Sequence, residues 1–277
     1  MEKSRFEGWY FKHQIKDRTI AFIPGIAKCG AFIQVITDQD SRHFDIDRLR
    51  VENGSIYAGK CVFSKQNTLI DLPGIRGEIR YGDLTPLRSD IMGPFRFLPM
   101  ECRHGVISMM HSLSGSLMMD REVISFDQGR GYIEKDSGTS FPNFYQWIHC
   151  NSFDEESSIM VSIANIPFLG LRFIGCIGAI IHKSIEYRLA TYSGVKILES
   201  NANHISLKQG KYRLQVELFE PPKGHPLRSP VQGQMNGSVR ESNNVKARFH
   251  FWKHDALLFD LTSNHASYEF VAEEKSC

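Results

Sequence analysis

Short runs of β-prone residues, separated by glycine and proline turns, recur along the chain and constrain its fold more than any other feature. In 211–218 apolar and polar residues alternate strictly, and 245–251 shows the same period. Because successive side chains of a strand point to opposite faces, such runs predict half-buried strands. No stretch of a dozen residues carries a convincing 3.6-residue stripe, so little helix is expected. The pattern therefore predicts an all-β protein, built as a sandwich or a barrel.

The length of the chain favours two units over one. At 277 residues it is long for a single domain and comfortable for two. The strand-like runs divide into two halves of similar number, with a seam near 105–125. We therefore expect two β domains, at residues 1–115 and 116–277. Two proline-rich segments, 83–100 and 220–233, interrupt the pattern and are typical of stiff connectors, with a lid over a barrel mouth as the alternative.

Composition excludes several classes of function. The net charge is +2 and Lys and Arg are not clustered, which argues against a nucleic-acid partner. The six cysteines, Cys277 among them, form no C-x-x-C pair, so neither a metal site nor a redox motif is expected. The first residues lack the apolar core of a signal peptide, which predicts a cytoplasmic protein. The most apolar segment, 163–181, is too broken by Pro167 and Arg172 to span a membrane, although peripheral contact with one stays open.

Two acids in one short segment are the strongest candidates for chemistry. Glu134 and Asp136 lie two residues apart, so on a strand they share a face, whereas Lys135 points to the other face. A carboxyl group in an apolar wall has a raised pKa and can donate a proton near neutral pH. The pair indicates either a proton donor, with Asp136 slightly preferred because it abuts a Gly/Pro turn, or a buried structural ion pair.

An aromatic stripe follows the acids and predicts the wall of an apolar site. Four residues of the next run share a face: Tyr145, Trp147, His149 and Asn151. Aromatic faces attract cations, and a histidine can orient a phenol or accept its proton. The stripe is consistent with a site for an apolar small molecule, and equally with core aromatics and a hydrogen-bonded structural histidine.

Three motifs in this order resemble those of tocopherol cyclases and their bacterial relatives. The first is Phe6-Glu-Gly-Trp-Tyr-Phe11. The second is Gly131-Tyr-Ile-Glu-Lys-Asp136, followed by Phe141-Pro142 and Trp147-Ile-His-Cys-Asn151. The third is Leu227-Arg-Ser-Pro230. The resemblance implies a tandem lipocalin-like fold, with two antiparallel β-barrels or sandwiches side by side and no cofactor. It also implies closure of a chromanol ring, in which a proton adds to the first double bond of a prenyl tail and the phenol oxygen captures the cation.

The motifs and the chemistry of their side chains give a set of site residues. The predicted catalytic residues are Asp136, Glu134 and His149. The predicted substrate-binding residues are Trp9, Tyr10, Phe141, Tyr145, Trp147, Asn151 and Arg228. Each has a structural alternative. The tryptophans are also typical of core residues, and Arg228 is also typical of a salt bridge that anchors a loop.

Two positions depart from the family pattern and set up a rival hypothesis. Ser137 stands where the family commonly has Trp, and His149 stands where it usually has Gln. The first hypothesis is an isomerase of the tocopherol cyclase type, acting on a prenylated quinol or another isoprenoid. The alternative, favoured by Ser137, is a lipocalin-like carrier that binds an apolar small molecule without turnover.

Overall fold

The structure, a computed structural model, describes residues 5–168 and 170–272. Strands make up 70% of the structure and pair in antiparallel fashion, which confirms the all-β prediction. Within the described ranges the helical segments are two short 3-10 turns, Gly93–Phe97 and Thr191–Ser193. The same ranges hold no helix with the length and apolar character needed to cross a membrane. Cys277 and the first four residues, on which the signal-peptide prediction rests in part, lie outside the described residues.

The first sheet has twelve strands and comes from the N-terminal half. The strands are β1 (Phe6–Ile15), β2 (Arg18–Ala27), β3 (Gly30–Thr37), β4 (Ser41–Ile46), β5 (Leu49–Glu52), β6 (Ser55–Ala58), β7 (Cys61–Phe63), β8 (Asn67–Leu72), β9 (Ile75–Tyr81), β10 (Cys102–Met119), β11 (Glu122–Ser125) and β12 (Arg130–Gly138). Their order is β4-β3-β2-β1-β12-β10-β9-β8-β7-β6-β5, and β11 pairs with β10. The sheet curls around buried residues such as Phe22, Phe63 and Phe126.

The second sheet has ten strands and the same curled form. The strands are β13 (Tyr145–Cys150), β14 (Ser157–Phe168), β15 (Leu171–His182), β16 (Ile185–Ala190), β17 (Lys196–Asn201), β18 (His204–Gln209), β19 (Tyr212–Leu218), β20 (His225–Val231), β21 (Gln234–Lys253) and β22 (Ala256–Val271). Their order is β16-β15-β14-β13-β22-β21-β19-β18-β17, and β20 pairs with β21. Among the described strands the edges of each sheet are not joined, so the lipocalin-like halves are open.

The chain changes sheets later than the expected boundary at 115/116. That boundary falls inside β10, which pairs with both β9 and β12 of the first sheet. The change occurs between Gly138 and Tyr145. For two β domains we therefore propose a division within 139–144. This short link carries Phe141, so the crossing between sheets also contributes to the site described below.

The segment 220–233 is more than the connector that its prolines suggested. It contains β20, with Pro226 and Pro230 inside the strand. Proline is tolerated there because β20 is an edge strand, paired with β21 alone, and does not need every backbone donor. The other proline-rich segment, 83–100, has no strand and places a 3-10 turn beside the site.

The two sheets pack together through a third core that differs from the interior of either half. This core includes Tyr10 and Tyr132 from the first sheet and Trp147 and Leu227 from the second. At its edge the Gln34 side chain both donates to and accepts from the backbone of Arg228, at 3.0 and 2.7 Å. The interface is thus rich in aromatic rings, and the candidate site lies within it.

Candidate active site

A pocket of about 180 Å³ opens between the two sheets, and its walls are mainly apolar and aromatic. Eight residues that the sequence singled out lie around it: Trp9, Tyr10, Glu134, Asp136, Phe141, Tyr145, Trp147 and Arg228. Ligand sites are commonly apolar clefts with a few convergent polar groups. The polar groups here include five carboxyl groups, an unusual number for a wall of this character, and they make the pocket a candidate active site.

One imidazole connects the two predicted acids. Nδ1 of His104 lies 2.9 Å from Oδ1 of Asp136, and its Nε2 lies 3.4 Å from Oε2 of Glu134. The hydroxyl of Tyr132 donates to Glu134 across 2.5 Å. The Glu134 carboxyl group is therefore held from two sides at the wall of the pocket.

Burial and charge set the protonation of this group. Burial raises the pKa of Glu134 to about 7, and Asp136 adds to the rise, while His104 and the hydrogen bond from Tyr132 oppose it. For His104, burial disfavours the charged ring, but Asp136 and Glu134 outweigh it and raise the pKa to about 9. At neutral pH the site thus combines a cationic imidazole with a glutamic acid that keeps much of its proton. A neutral acid beside a cation is a strong proton donor, since the cation stabilises the carboxylate that is left.

Strand register brings these side chains together. In the β10–β12 ladder His104 is opposite Asp136, and Val106 is opposite Glu134. Residues two apart share a face, so both acids and the imidazole project to the same side. Sequence analysis missed His104 because its partners lie about thirty positions away.

Aromatic side chains form another part of the wall. The rings of Tyr10 and Trp147 meet edge to face with centroids 5.7 Å apart, and Phe141 and Tyr145 do so at 5.9 Å. Such rings present negative faces that attract a cation by about 0.5–2 kcal/mol each. The pocket can therefore hold an apolar substrate and steady positive charge that develops on it.

Two predicted residues lie behind the pocket instead of lining it. His149 is fully buried and stacks on Tyr132, with ring centroids 3.6 Å apart. Burial holds its pKa well below the usual value, so the ring stays neutral. Asn151 is also buried and donates from Nδ2 to the carbonyl oxygen of Gly131 across 3.0 Å. In the described structure both support the strands that carry the site, and neither borders the cavity.

Two other positions lie partly or wholly on the far side of the strands. The Trp9 ring packs in the core of the first sheet, beneath the Lys135 ammonium group at 4.8 Å, and only borders the pocket. Ser137 follows Lys135 on the β12 face opposite Glu134 and Asp136. The family departure at Ser137 therefore does not remove a ring from the pocket wall.

Sequence analysis also missed two acids of the second sheet. Glu241 of β21 and Glu269 of β22 line the pocket and stand opposite each other in their ladder. Nothing in their local sequence marks them, because each lies in a long alternating strand. Their partners are described below.

His104, Glu134 and Asp136 are the described residues best placed to hold a metal ion. One ligand-type atom from each lies within 4.8 Å of the others. Histidine and carboxylate groups suit several divalent cations. Both imidazole nitrogens, however, already face a carboxyl group, so binding a cation would require the ring to give up one of these contacts.

Comparison with known proteins gives a consistent set of similarities. A protein-family model described as tocopherol cyclase-like matches residues 73–271, which include the second and third sequence motifs. A probable chloroplastic tocopherol cyclase of Oryza sativa subsp. japonica is 25% identical over 218 residues, covering 68% of this chain. The match covers 44% of the rice protein, so this chain spans less than half the length of that relative.

Two solved structures share the fold across both sheets. The structure of CghA with Sch210972 superposes with a TM-score of 0.64 at 9% identity, covering 99% of this chain and 90% of that one. Kievitone hydratase from Nectria haematococca superposes with a TM-score of 0.53 at 9% identity, covering 98% and 90%. At these identities the likeness concerns the fold.

Proposed function

The chain belongs to the tocopherol cyclase-like family, and on that premise we propose that it closes a chromanol-type ring on a prenylated quinol or a related isoprenoid. The observation that carries the proposal is the buried Glu134 carboxyl group beside the His104 imidazole, at the wall of an aromatic pocket. An alkene is a weak base, so its protonation needs a strong, positioned acid away from water. That requirement matches the surroundings of Glu134.

We assign the proton donor to Glu134 and a positioning role to Asp136. Glu134 is the more buried of the two and retains a proton near neutral pH. Asp136 accepts a hydrogen bond from His104 and holds the ring in place. The charged imidazole then favours loss of the Glu134 proton. Transfer of that proton to the first double bond of the tail leaves a tertiary cation.

The aromatic wall and the phenol complete the reaction. Tyr10, Tyr145 and Trp147 present rings to the cavity, where they can steady the cation while water is excluded. The phenol oxygen attacks the cationic carbon, the C–O bond closes, and the phenol proton is released. We assign to Arg228, an exposed residue that borders the pocket, a contact with an oxygen atom of the substrate. The overall change is an isomerisation, without oxidant, reductant or cofactor.

Conversion in heavy water tests the proposal. A panel of prenyl hydroquinones is incubated in D2O, and the products are analysed by mass spectrometry for a closed ring with one deuterium on carbon. Glu134→Gln should abolish conversion, and Asp136→Asn should weaken it. Glu52→Gln removes an exposed acid from the same sheet and serves as the matched control. Tight binding without product in the wild type would favour the carrier alternative, and conversion that survives Glu134→Gln would remove this residue from the mechanism.

The rim of the pocket supports peripheral contact with a lipid bilayer, where a prenylated substrate would reside. Phe97 is 74% exposed and Leu171 is 76% exposed, and they flank residues that line the pocket. The side chains of Arg96, Arg103 and Arg172 nearby are also exposed. Apolar tips with basic neighbours are the features by which proteins dock on anionic bilayers.

A further inference from the structure

We propose that Glu241 and Glu269 form a second acid–base centre of the pocket, which binds the phenolic hydroxyl group of the substrate and accepts its proton during ring closure. This inference rests on the proposed function and assigns that site a proton acceptor to match the donor. Both residues line the pocket, and they come from the second sheet, whereas Glu134 comes from the first.

The two carboxyl groups of this centre come from neighbouring strands. Glu241 and Glu269 are direct partners in the β21–β22 ladder, so their side chains leave neighbouring positions on one face of the sheet. Two buried carboxyl groups at such positions are favoured when a proton on one of them is donated to the other. Because the two groups lie so close, the second cannot ionise as freely as the first. The pair therefore carries one shared proton and one free acceptor.

Each glutamate of the pair accepts a hydrogen bond from a tyrosine. The hydroxyl of Tyr10 donates a short hydrogen bond to Oε1 of Glu241. The hydroxyl of Tyr145 donates to Oε2 of Glu269 across 2.5 Å. These four side chains all border the cavity. Glu241 is only 1% exposed and Glu269 is half-buried, so the acceptor positions nearest a ligand that donates a hydrogen bond are those of Glu269.

Tyr10 connects this pair with Glu134. Tyr10 is the register partner of Glu134 on β1 and β12 and also bonds to Glu241, so it stands between the two centres. A substrate that fills the pocket can place its double bond at one centre and its phenol at the other. This separation keeps the proton donor from quenching the proton acceptor.

The proposed ring closure conserves protons. Glu134 gives its proton to the alkene carbon, and the phenol oxygen forms the C–O bond and loses its proton to the ionised member of the pair. The pair then holds two protons and Glu134 none. When the product leaves, water takes one proton from the pair and returns one to Glu134. No electrons are exchanged, and product and substrate are isomers.

The charged and titratable groups that face the pair have defined effects. Tyr10 and Lys12 approach from β1, Glu134 and Asp136 from β12, and Tyr145 from β13. Burial raises the pKa of Glu269 to about 7, with Asp136 adding to the rise and Tyr145 opposing it. Burial likewise holds the pKa of Glu241 well above its usual range, and Glu269 adds to the rise.

Infrared spectroscopy tests the shared proton without any substrate. In Glu134→Gln protein at pH 7.5, the carbonyl stretch of a protonated carboxyl group should persist. It should vanish when Glu241→Gln and Glu269→Gln are added together, and stay when the exposed Glu217 is changed to Gln. Absence of the band in Glu134→Gln protein would overturn the shared proton, and so would its persistence after both members of the pair are replaced.

Ligand discrimination tests the acceptor role independently of turnover. A prenyl hydroquinone donates a hydrogen bond, whereas the corresponding quinone cannot. Binding measured by tryptophan fluorescence should favour the hydroquinone by roughly tenfold or more in Glu134→Gln protein, which does not convert it. Adding Glu241→Met or Glu269→Met, which leaves no oxygen acceptor on that side chain, should collapse this preference, and adding Glu217→Met should not. A preference unchanged by either pair substitution would refute the proposal. If the protein prefers the hydroquinone over the quinone but the wild type does not convert it, the phenol-binding role of the pair is supported and only the proposed ring closure is refuted.

Discussion

His104 and Asp136 face each other across β10 and β12, with Nδ1 of the imidazole 2.9 Å from Oδ1 of the carboxyl group. This contact fixes the ring so that its second nitrogen points to Glu134. A charged group placed behind a proton donor stabilises the anion that forms when the proton leaves. The contact between His104 and Asp136 is therefore expected to matter for chemistry more than for folding.

The first prediction concerns His104 itself. Replacing it by Gln keeps a polar side chain but removes the positive charge, so Glu134 should become a poorer donor. We expect kcat for a prenyl hydroquinone to fall by about 10²–10³, within the range of general acid catalysis, with little change in KM. The matched control is His250→Gln, since His250 pairs with Asp260 at 3.2 Å outside the pocket. Equal losses in both variants would show that the effect is not specific to the site.

The second prediction concerns stability and pH. Folding raises the pKa of Glu134 from 4.5 to about 7, so between these values the folded state holds a proton that the unfolded chain has lost. Stability should then fall as pH rises through this window, by up to the order of 3 kcal/mol. The raised pKa of His104 acts in the same direction, because its contribution is complete below pH 6.5 and is lost as pH rises through about 9.

Substitution of Glu134 isolates its share of this effect. Glu134→Gln cannot ionise, so relative to the wild type it should be more stable at pH 8 than at pH 4.5. Urea denaturation at the two pH values measures the difference. Glu52→Gln, an exposed position, should show no such dependence on pH. A Glu134→Gln effect of the same size at both pH values would contradict a buried glutamate that retains its proton.

Much of this fold could be predicted from local sequence, because strand alternation and turn residues act over a few positions. The same is true of the Glu134 and Asp136 pair, whose common face follows from their spacing alone. The prolines of β20 misled because an edge strand tolerates them, and edges are defined only by the whole sheet. Local pattern cannot distinguish a strand at the edge from a connector.

The site residues that could not be predicted from the sequence are those that depend on register between distant strands. His104 reaches the acids only because β10 pairs with β12, and that ladder shifts register between Val106 and Ser108. Glu241 and Glu269 meet through a ladder with several such shifts. Hydrophobic pattern specifies which face a residue takes, but bulges decide what stands opposite it. The contact of His104 with the acids and the pairing of Glu241 with Glu269 therefore could not be predicted from local sequence.

The third prediction distinguishes a structural role of Asn151 from direct contact with the substrate. Asn151→Ala removes the hydrogen bond to the carbonyl oxygen of Gly131 and leaves that buried acceptor short of a partner. We expect the free energy of unfolding to fall by about 1–3 kcal/mol, with KM for the prenyl hydroquinone unchanged. Asn203→Ala, at an exposed turn, is the control for loss of the amide. A raised KM without loss of stability would instead place Asn151 in contact with substrate.

The fourth prediction concerns metal ions. His104, Glu134 and Asp136 could together hold a cation, but we propose that they act as an acid, its partner and a positioning group. Dialysis against EDTA should then leave conversion unchanged, and added Zn²⁺ should inhibit by taking the lone pairs that the acid chemistry uses. Conversion that is lost on chelation and restored by one metal would overturn the acid assignment.

The fifth prediction concerns the rim of the pocket. Changing Phe97 and Leu171 to Ser should weaken binding to phosphatidylcholine vesicles that contain phosphatidylglycerol, because both side chains would otherwise insert at the bilayer surface. The control is Val123→Ser. Val123 is 68% exposed but stands opposite Met118, at the end of β10 remote from the pocket-lining Cys102. Co-sedimentation measures binding with no substrate present.

Binding should also weaken with salt, since Arg96, Arg103 and Arg172 supply the attraction to anionic lipid. Equal binding by the rim and control variants would exclude this rim as the docking surface.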